Sequence, residues 1–161
     1  MLFENCLCFT LARASRRVSK AYREKLEDFG LTQQQFFLLI ALYEQDCVSI
    51  TALAEKVALD KSTLTGLLDR MVRDGLVERS AAAGDRRAFR IKLSTRAEAL
   101  RPKLTAIYEQ TNSWLLSRLT EEERAGFERA ISALEAATPD DDAGAGGVPV
   151  PGRKGIMVCT S

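Results

Sequence analysis

Asp60-Lys61-Ser62-Thr63-Leu64-Thr65-Gly66-Leu67-Leu68-Asp69-Arg70-Met71-Val72-Arg73-Asp74-Gly75 reads as one short helix with two unlike faces. Asp60 is a favoured N-cap, and Gly75 is the residue type that ends a helix in the left-handed conformation. Leu64, Leu67, Leu68, Met71 and Val72 recur at i, i+3, i+4, i+7 and i+8, an apolar stripe that a core would cover. Lys61, Ser62, Thr63, Thr65, Gly66, Asp69 and Arg70 fall on the remaining surface. Short polar side chains at a capped helix start are what reading base edges in a major groove requires. The bland alternative is a core helix with a solvated polar face, on which Arg70 is an ordinary surface charge.

The neighbouring segments give that helix a context. Upstream, Ser49 opens a helix over residues 50–58, and Ala58-Leu59-Asp60 forms the tight link of a helix-turn-helix. Downstream, residues 76–80 read as a strand and Ala81 to Arg87 as a loop. Phe89, Ile91 and Leu93 then alternate with Arg90 and Lys92 as a second strand over residues 88–93. The expectation is a two-stranded wing with a basic tip, Arg86 and Arg87.

Farther out, residues 5–29 form a predicted basic helix closed by Gly30, and Thr32 with Gln35 makes a capping box for an apolar second helix. That second helix is apolar nearly all round and belongs at the centre of the core. Ser94 starts a fifth helix to about residue 118, with Pro102 as a kink point. Thr120 caps a sixth, which ends near residue 137 and carries Glu121, Glu122 and Glu123 on its first turn. The fold class is mainly α: a winged helix-turn-helix with a two-stranded β-wing and N- and C-terminal dimerisation helices. Its segments are 1–30, an N-terminal dimerisation helix; 31–96, the DNA-binding lobe; 97–138, the C-terminal helices; and 139–161, a Pro-, Gly-, Ala- and Asp-rich tail expected to be disordered.

Composition narrows the chemistry. The 161 residues carry a net charge of only +1, but the charge is uneven: Arg86, Arg87, Arg90 and Lys92 are basic, and 121–123 and 140–142 are acidic. There is no histidine, which removes the commonest general base and metal ligand. The four cysteines Cys6, Cys8, Cys47 and Cys159 are irregularly spaced without a C-x-x-C pair, so no thiol enzyme, disulfide framework, cofactor or metal site is expected. No secretory signal or membrane-length apolar run is read, and a cytoplasmic protein that is not an enzyme is the expectation.

The segment 60–77, followed by Gly84-Asp85-Arg86-Arg87 and Ile91-Lys92-Leu93-Ser94, resembles the MarR family of winged-helix regulators over about residues 5–137. The resemblance implies that Lys61, Ser62, Thr63, Thr65 and Arg70 face double-stranded DNA, with Arg86 on the wing tip. It also implies that Asp85 holds the wing and Arg87 enters the minor groove. Family members form homodimers through their first and last helices, which would make Leu115, Leu116, Phe127, Ile131 and Leu134 interface residues. Two reading helices about 34 Å apart then select a palindromic operator.

Leu7-Cys8-Phe9-x-Leu11, Lys20-Ala21-Tyr22-Arg23 and Gly30-Leu31-Thr32 resemble the organic hydroperoxide regulators within that family. The resemblance makes Cys8 the redox-sensing thiol and Tyr22 the hydroxyl that steadies it across the dimer. Cys8 lies in a first helical turn, where backbone N–H groups and the helix dipole stabilise negative charge. Tyr22 is fourteen residues on, about 21 Å away along one helix, so the two can meet only between antiparallel partners. Tyrosines found in those regulators are replaced by Ala12 and Gln33, and the distal resolving cysteine by Ser113. Cys8 is otherwise a small buried apolar residue. Two further effectors remain open. One is an aromatic or lipophilic ligand near Arg16, Phe36 and Phe37. The other is a soft metal at Cys6 and Cys8, against which stands the opposite orientation of i and i+2 on a continuous helix.

Overall fold

A computed structural model of the chain describes residues 6–82 and 85–136. The chain divides between Leu115 and Leu116 into two compact units. Helix α1 (Leu7–Leu26) tightens into a 3-10 turn, Glu27–Phe29, before Gly30 takes φ 62 and its N–H donates to the Glu27 carbonyl. The helix thus starts later than residue 5 and its last turn is not α-helical. Helix α2 (Gln33–Glu44) has the expected capping box: Gln35 N–H donates to Thr32 Oγ1 at 3.2 Å, and Thr32 N–H to Gln35 Oε1 at 2.9 Å. It buries Phe36, Leu38, Leu39 and Leu42 at the centre of the core, but Phe37 is 38% exposed, so the helix is not covered all round.

Strand β1 (Val48–Ser49), helix α3 (Ile50–Val57), helix α4 (Lys61–Arg73), strand β2 (Val77–Ala82) and strand β3 (Asp85–Leu93) complete the lobe. The sheet has three antiparallel strands in the order β1-β3-β2, where the sequence led us to expect two. Val48 pairs with Ile91, and Val77 with Leu93, so the buried side chains of the sheet converge on one core. Two polar ties hold β1 in place: Leu93 N–H donates to Asp46 Oδ1 at 2.9 Å, and the Arg90 guanidinium to the Cys47 carbonyl at 2.9 Å. The expected 81–87 loop is mostly strand as well, with Ala82 paired to Asp85 beyond an irregularity after Ala81. Residues 83 and 84 lie outside the described residues, as do the tail and Cys159.

Helix α5 (Thr95–Leu116) runs through Pro102 and packs Ala97, Leu104 and Leu115 on the core. Ser94 joins it to the lobe: its hydroxyl donates to the Gly75 carbonyl at 2.7 Å and accepts from Ala97 N–H at 3.1 Å. Tyr43 makes a second tie, donating to the Ala97 carbonyl at 2.7 Å. Burial pushes the Tyr43 phenol up to about 12, partly opposed by Arg101, whose guanidinium lies 4.8 Å from the ring centre. A raised folded-state value means this contribution is complete below the ordinary tyrosine value and is lost as pH rises through the folded one. Thermal melts should therefore show a stability loss between about pH 10 and pH 12 that is smaller in Tyr43→Phe. At neutral pH that variant should cost about 0.5–1.5 kcal/mol for the lost hydrogen bond.

The second unit contains helix α6 (Glu121–Ala136), preceded by its cap. Thr120 N–H donates to Glu123 Oε2 at 2.8 Å and Glu123 N–H to Thr120 Oγ1 at 3.3 Å, a reciprocal capping box. No residue of α6 is buried, and Phe127 is 57% exposed.

Candidate nucleic-acid interface and thiol site

Helix α4 presents its two faces as the spacing requires. Leu64, Leu67, Leu68 and Met71 are buried, while Lys61, Ser62, Thr63, Thr65, Asp69 and Arg70 are exposed. Val72, which the spacing placed on the apolar stripe, lies at its margin and is exposed.

Asp60 organises the first turn. Its carboxylate accepts the Ser62 hydroxyl, the Thr63 N–H at 2.8 Å and the Thr63 hydroxyl at 2.7 Å. These bonds, that from the Ser62 hydroxyl first, hold the carboxyl well below the usual carboxylate range, so Asp60 is ionised at any working pH. Thr65 is also engaged, donating to the Lys61 carbonyl at 2.7 Å. The small polar side chains are thus paired within their own turn. Their hydrogens are committed within the turn, which restricts their rotamers. At Gly66 an added Cβ would meet only Arg70 Nη1, at 4.0 Å, so packing within the chain does not demand a glycine there.

The far end of α4 is tied down by partners that sequence reading missed. Gln35 Nε2 donates to Asp74 Oδ2 at 2.9 Å, so the capping residue of α2 also grips the end of α4. Arg96 donates to the Asp74 carbonyl, and Arg79 on β2 forms an ion pair with Asp69 on α4. Strand alternation held a signal for the last pair. Val77 and Arg79 share one face of β2, and a cation on the face that Val77 buries calls for an anion on the element it meets. The pair offsets the Asp69 carboxylate, so that Lys61 and Arg70 face only the Asp60 carboxylate at the helix start.

Asp85, Arg86 and Arg87 lie on β3, which Arg90 and Lys92 continue as exposed cations. What was expected of the Asp85, Arg86 and Arg87 side chains falls outside the described residues.

The thiol end of α1 differs from the sequence expectation in one respect. Cys6 is the N-cap, with extended backbone (φ −73, ψ 111) and no side-chain cap bond, and Cys8 is the second helical residue. Both are exposed, as is Cys47. Tyr22 lies on the same helix but within the core, 4% exposed, with its ring 5.6 Å from Phe36 and 5.2 Å from Phe37. Burial first, and Tyr108 second, push its phenol above the ordinary value, so it remains a hydrogen-bond donor. Cys8 and Tyr22 are not brought together within the chain. Of the residues considered for a ligand pocket, Phe36 is wholly buried, Phe37 is partly exposed, and Arg16 is exposed with its guanidinium 6.0 Å from the Phe9 ring centre. Among the described residues, no three histidine, cysteine or acidic side chains are grouped to hold a metal, and no helix is long and apolar enough to cross a membrane.

A capped reading helix backed by a three-stranded winged sheet defines a winged helix-turn-helix protein. The sequence pattern of the MarR family matches residues 31–89. The organic hydroperoxide resistance transcriptional regulator of Bacillus subtilis is 34% identical over 107 residues, which is 66% of this chain and 73% of that protein. The regulator MgrA of Staphylococcus aureus is 32% identical over 129 residues, 80% of this chain and 86% of its own. The structure of the S. aureus MepR–DNA complex superposes with a TM-score of 0.74 at 26% identity, covering 80% of this chain and 96% of that one. The chain belongs to the MarR family, and is a DNA-binding transcriptional regulator rather than an enzyme.

Proposed function

We propose that the protein works in the cytoplasm as a homodimeric repressor on a palindromic operator, and that oxidation of Cys8 by an organic hydroperoxide releases it. The observation that carries the DNA-reading part is the α4 surface. Its first turn is exposed, its hydroxyls are fixed by Asp60 and the Lys61 carbonyl, and Lys61 and Arg70 supply positive charge. Lys61, Ser62, Thr63, Thr65 and Arg70 enter the major groove, while on the wing Asp85 holds the turn, Arg86 lies at the tip and Arg87 enters the adjoining minor groove. A partner chain accounts for the exposed apolar side chains Leu7, Leu11 and Val18 on α1, and for Phe127 and Leu134 on a helix that buries nothing of its own. Leu115 is already packed on the core, so it is a weaker interface candidate than the sequence implied.

The oxidation part is supported by an exposed thiol in the first turn of α1 and by the hydroperoxide regulator among the relatives. Tyr22, kept protonated by its burial, is the donor that steadies the thiol of the partner subunit. The test is a mobility-shift assay on the DNA upstream of the gene, comparing wild type with Cys8→Ser, each with and without cumene hydroperoxide. Wild type should dissociate on oxidation and Cys8→Ser should stay bound. Retention of both under oxidant would remove the hydroperoxide signal and leave the DNA reading intact.

A further inference from the structure

On a helix beginning at residue 5, Cys6 and Cys8 would point to opposite sides and could not meet. The structure removes that objection, because Cys6 lies before the first helical residue with extended backbone. We infer that Cys6 is the resolving thiol for Cys8, closing a disulfide within the Cys6-Leu7-Cys8 segment once Cys8 is oxidised. This rests on the reading of Cys8 as the oxidised thiol and adds what happens to it next.

Three observations carry the inference. Both thiols are exposed on their own subunit, so neither must leave that subunit's core to react. Two residues of chain span at most about 7 Å, near the upper edge of the roughly 4.4–6.8 Å between Cα atoms that a disulfide accepts. Only the backbone about Cys6 and Leu7 has to turn. That backbone is lightly held within its own subunit: the Cys6 carbonyl accepts Thr10 N–H at 3.0 Å, no side chain caps the helix, and its first turn has no acidic residue.

The chemistry balances with one hydroperoxide. The Cys8 thiolate attacks the terminal peroxide oxygen; an S–O bond forms, the O–O bond breaks, and the alkoxide leaves and takes a proton to become the alcohol. Cys8 loses two electrons and the peroxide gains them. The Cys6 thiolate then attacks the Cys8 sulfenic sulfur; the S–S bond forms, the S–O bond breaks, and the departing hydroxide is protonated to water. The product is a strained, exposed disulfide of the readily reduced kind, so ordinary thiols restore the protein.

The protein should be treated with one and then several equivalents of cumene hydroperoxide, alkylated and cleaved with trypsin. The peptide of residues 1–13 contains both thiols and ends at Arg13. In wild type it should become about 2 Da lighter, escape alkylation and return to its original mass with dithiothreitol. In Cys6→Ser it should instead gain about 16 and then 32 Da at Cys8, the second product resisting the reductant. The inference is overturned if Cys6→Ser is protected as well as wild type, or if Cys8 is recovered joined to Cys47, to Cys159 or to the partner subunit. An unmodified peptide, with Cys8 still alkylated after oxidant, would overturn the reading of Cys8 as the sensor and this inference with it.

Discussion

Thr65→Glu should lower operator affinity by roughly 30-fold or more while leaving the protein as stable as the wild type. Thr65 is exposed, and among the described residues its side chain bonds only the Lys61 carbonyl of its own helix. Thr65 lies outside the buried core, so the substitution leaves the packing under α4 intact. Against DNA the introduced carboxylate meets phosphates and base-edge acceptors. A good base contact is worth about 1–3 kcal/mol, and a homodimer loses it twice. The loss of about 2–6 kcal/mol corresponds to a factor of roughly 30 to 10⁴. Fluorescence anisotropy with a labelled operator, at one fixed salt concentration, measures it. Binding within threefold of wild type would mean that this face of α4 does not enter the groove.

The contrast between what could and could not be read from the sequence follows from the range of the interactions involved. Helices α2, α3 and α4 were legible because their caps are local: Thr32 with Gln35, Ser49 with Ala52, Asp60 with Thr63. Each is a side chain bonding a backbone group three residues on, which spacing alone reveals. Strand β1 was not legible. Two residues have no periodicity, and their strand character comes wholly from β3 and from the Asp46 and Arg90 ties. The Ala-rich end of β2 lacked alternation for the same reason and reads as loop until Ala82 is paired with Asp85.

The site divides in the same way. That the first turn of α4 is exposed and polar follows from the apolar stripe opposite it. That Asp60 fixes the rotamers of Ser62 and Thr63, and that Arg79 neutralises Asp69, depends on side-chain directions that spacing does not give. The thiol site turned on a single residue at a boundary. Starting α1 at residue 5 or at Leu7 decides whether Cys6 belongs to the helix, and helix ends are the least determined part of any sequence reading. Tyr22 illustrates the reverse case: the resemblance gave it a role toward a partner, whereas its ring is held in the core by Phe36 and Phe37. Both uses fit one residue if the ring supplies packing and the hydroxyl supplies the donor.

Leu64→Ala, one residue before Thr65, should have the opposite outcome. Leu64 is 0% exposed and lies under α4 in the cluster with Leu67, Leu68 and Met71. Truncation removes its buried methyl groups and leaves a cavity that neighbouring side chains only partly fill, at a cost of about 2–5 kcal/mol. For a chain of this size the midpoint of thermal unfolding should fall by roughly 5–15 °C. Wild type and variant must be melted at the same protein concentration, because subunit association also contributes to the stability of a dimer. Below its own midpoint Leu64→Ala should still bind the operator within a few-fold of wild type, since Lys61, Thr63, Thr65 and Arg70 all remain on the exposed face. A loss below about 1 kcal/mol would mean that α4 is not anchored through its apolar stripe. One step along an α-helix turns the side chain by about 100°, and at Leu64 and Thr65 that turn separates the residue that holds the helix from the one that reads with it.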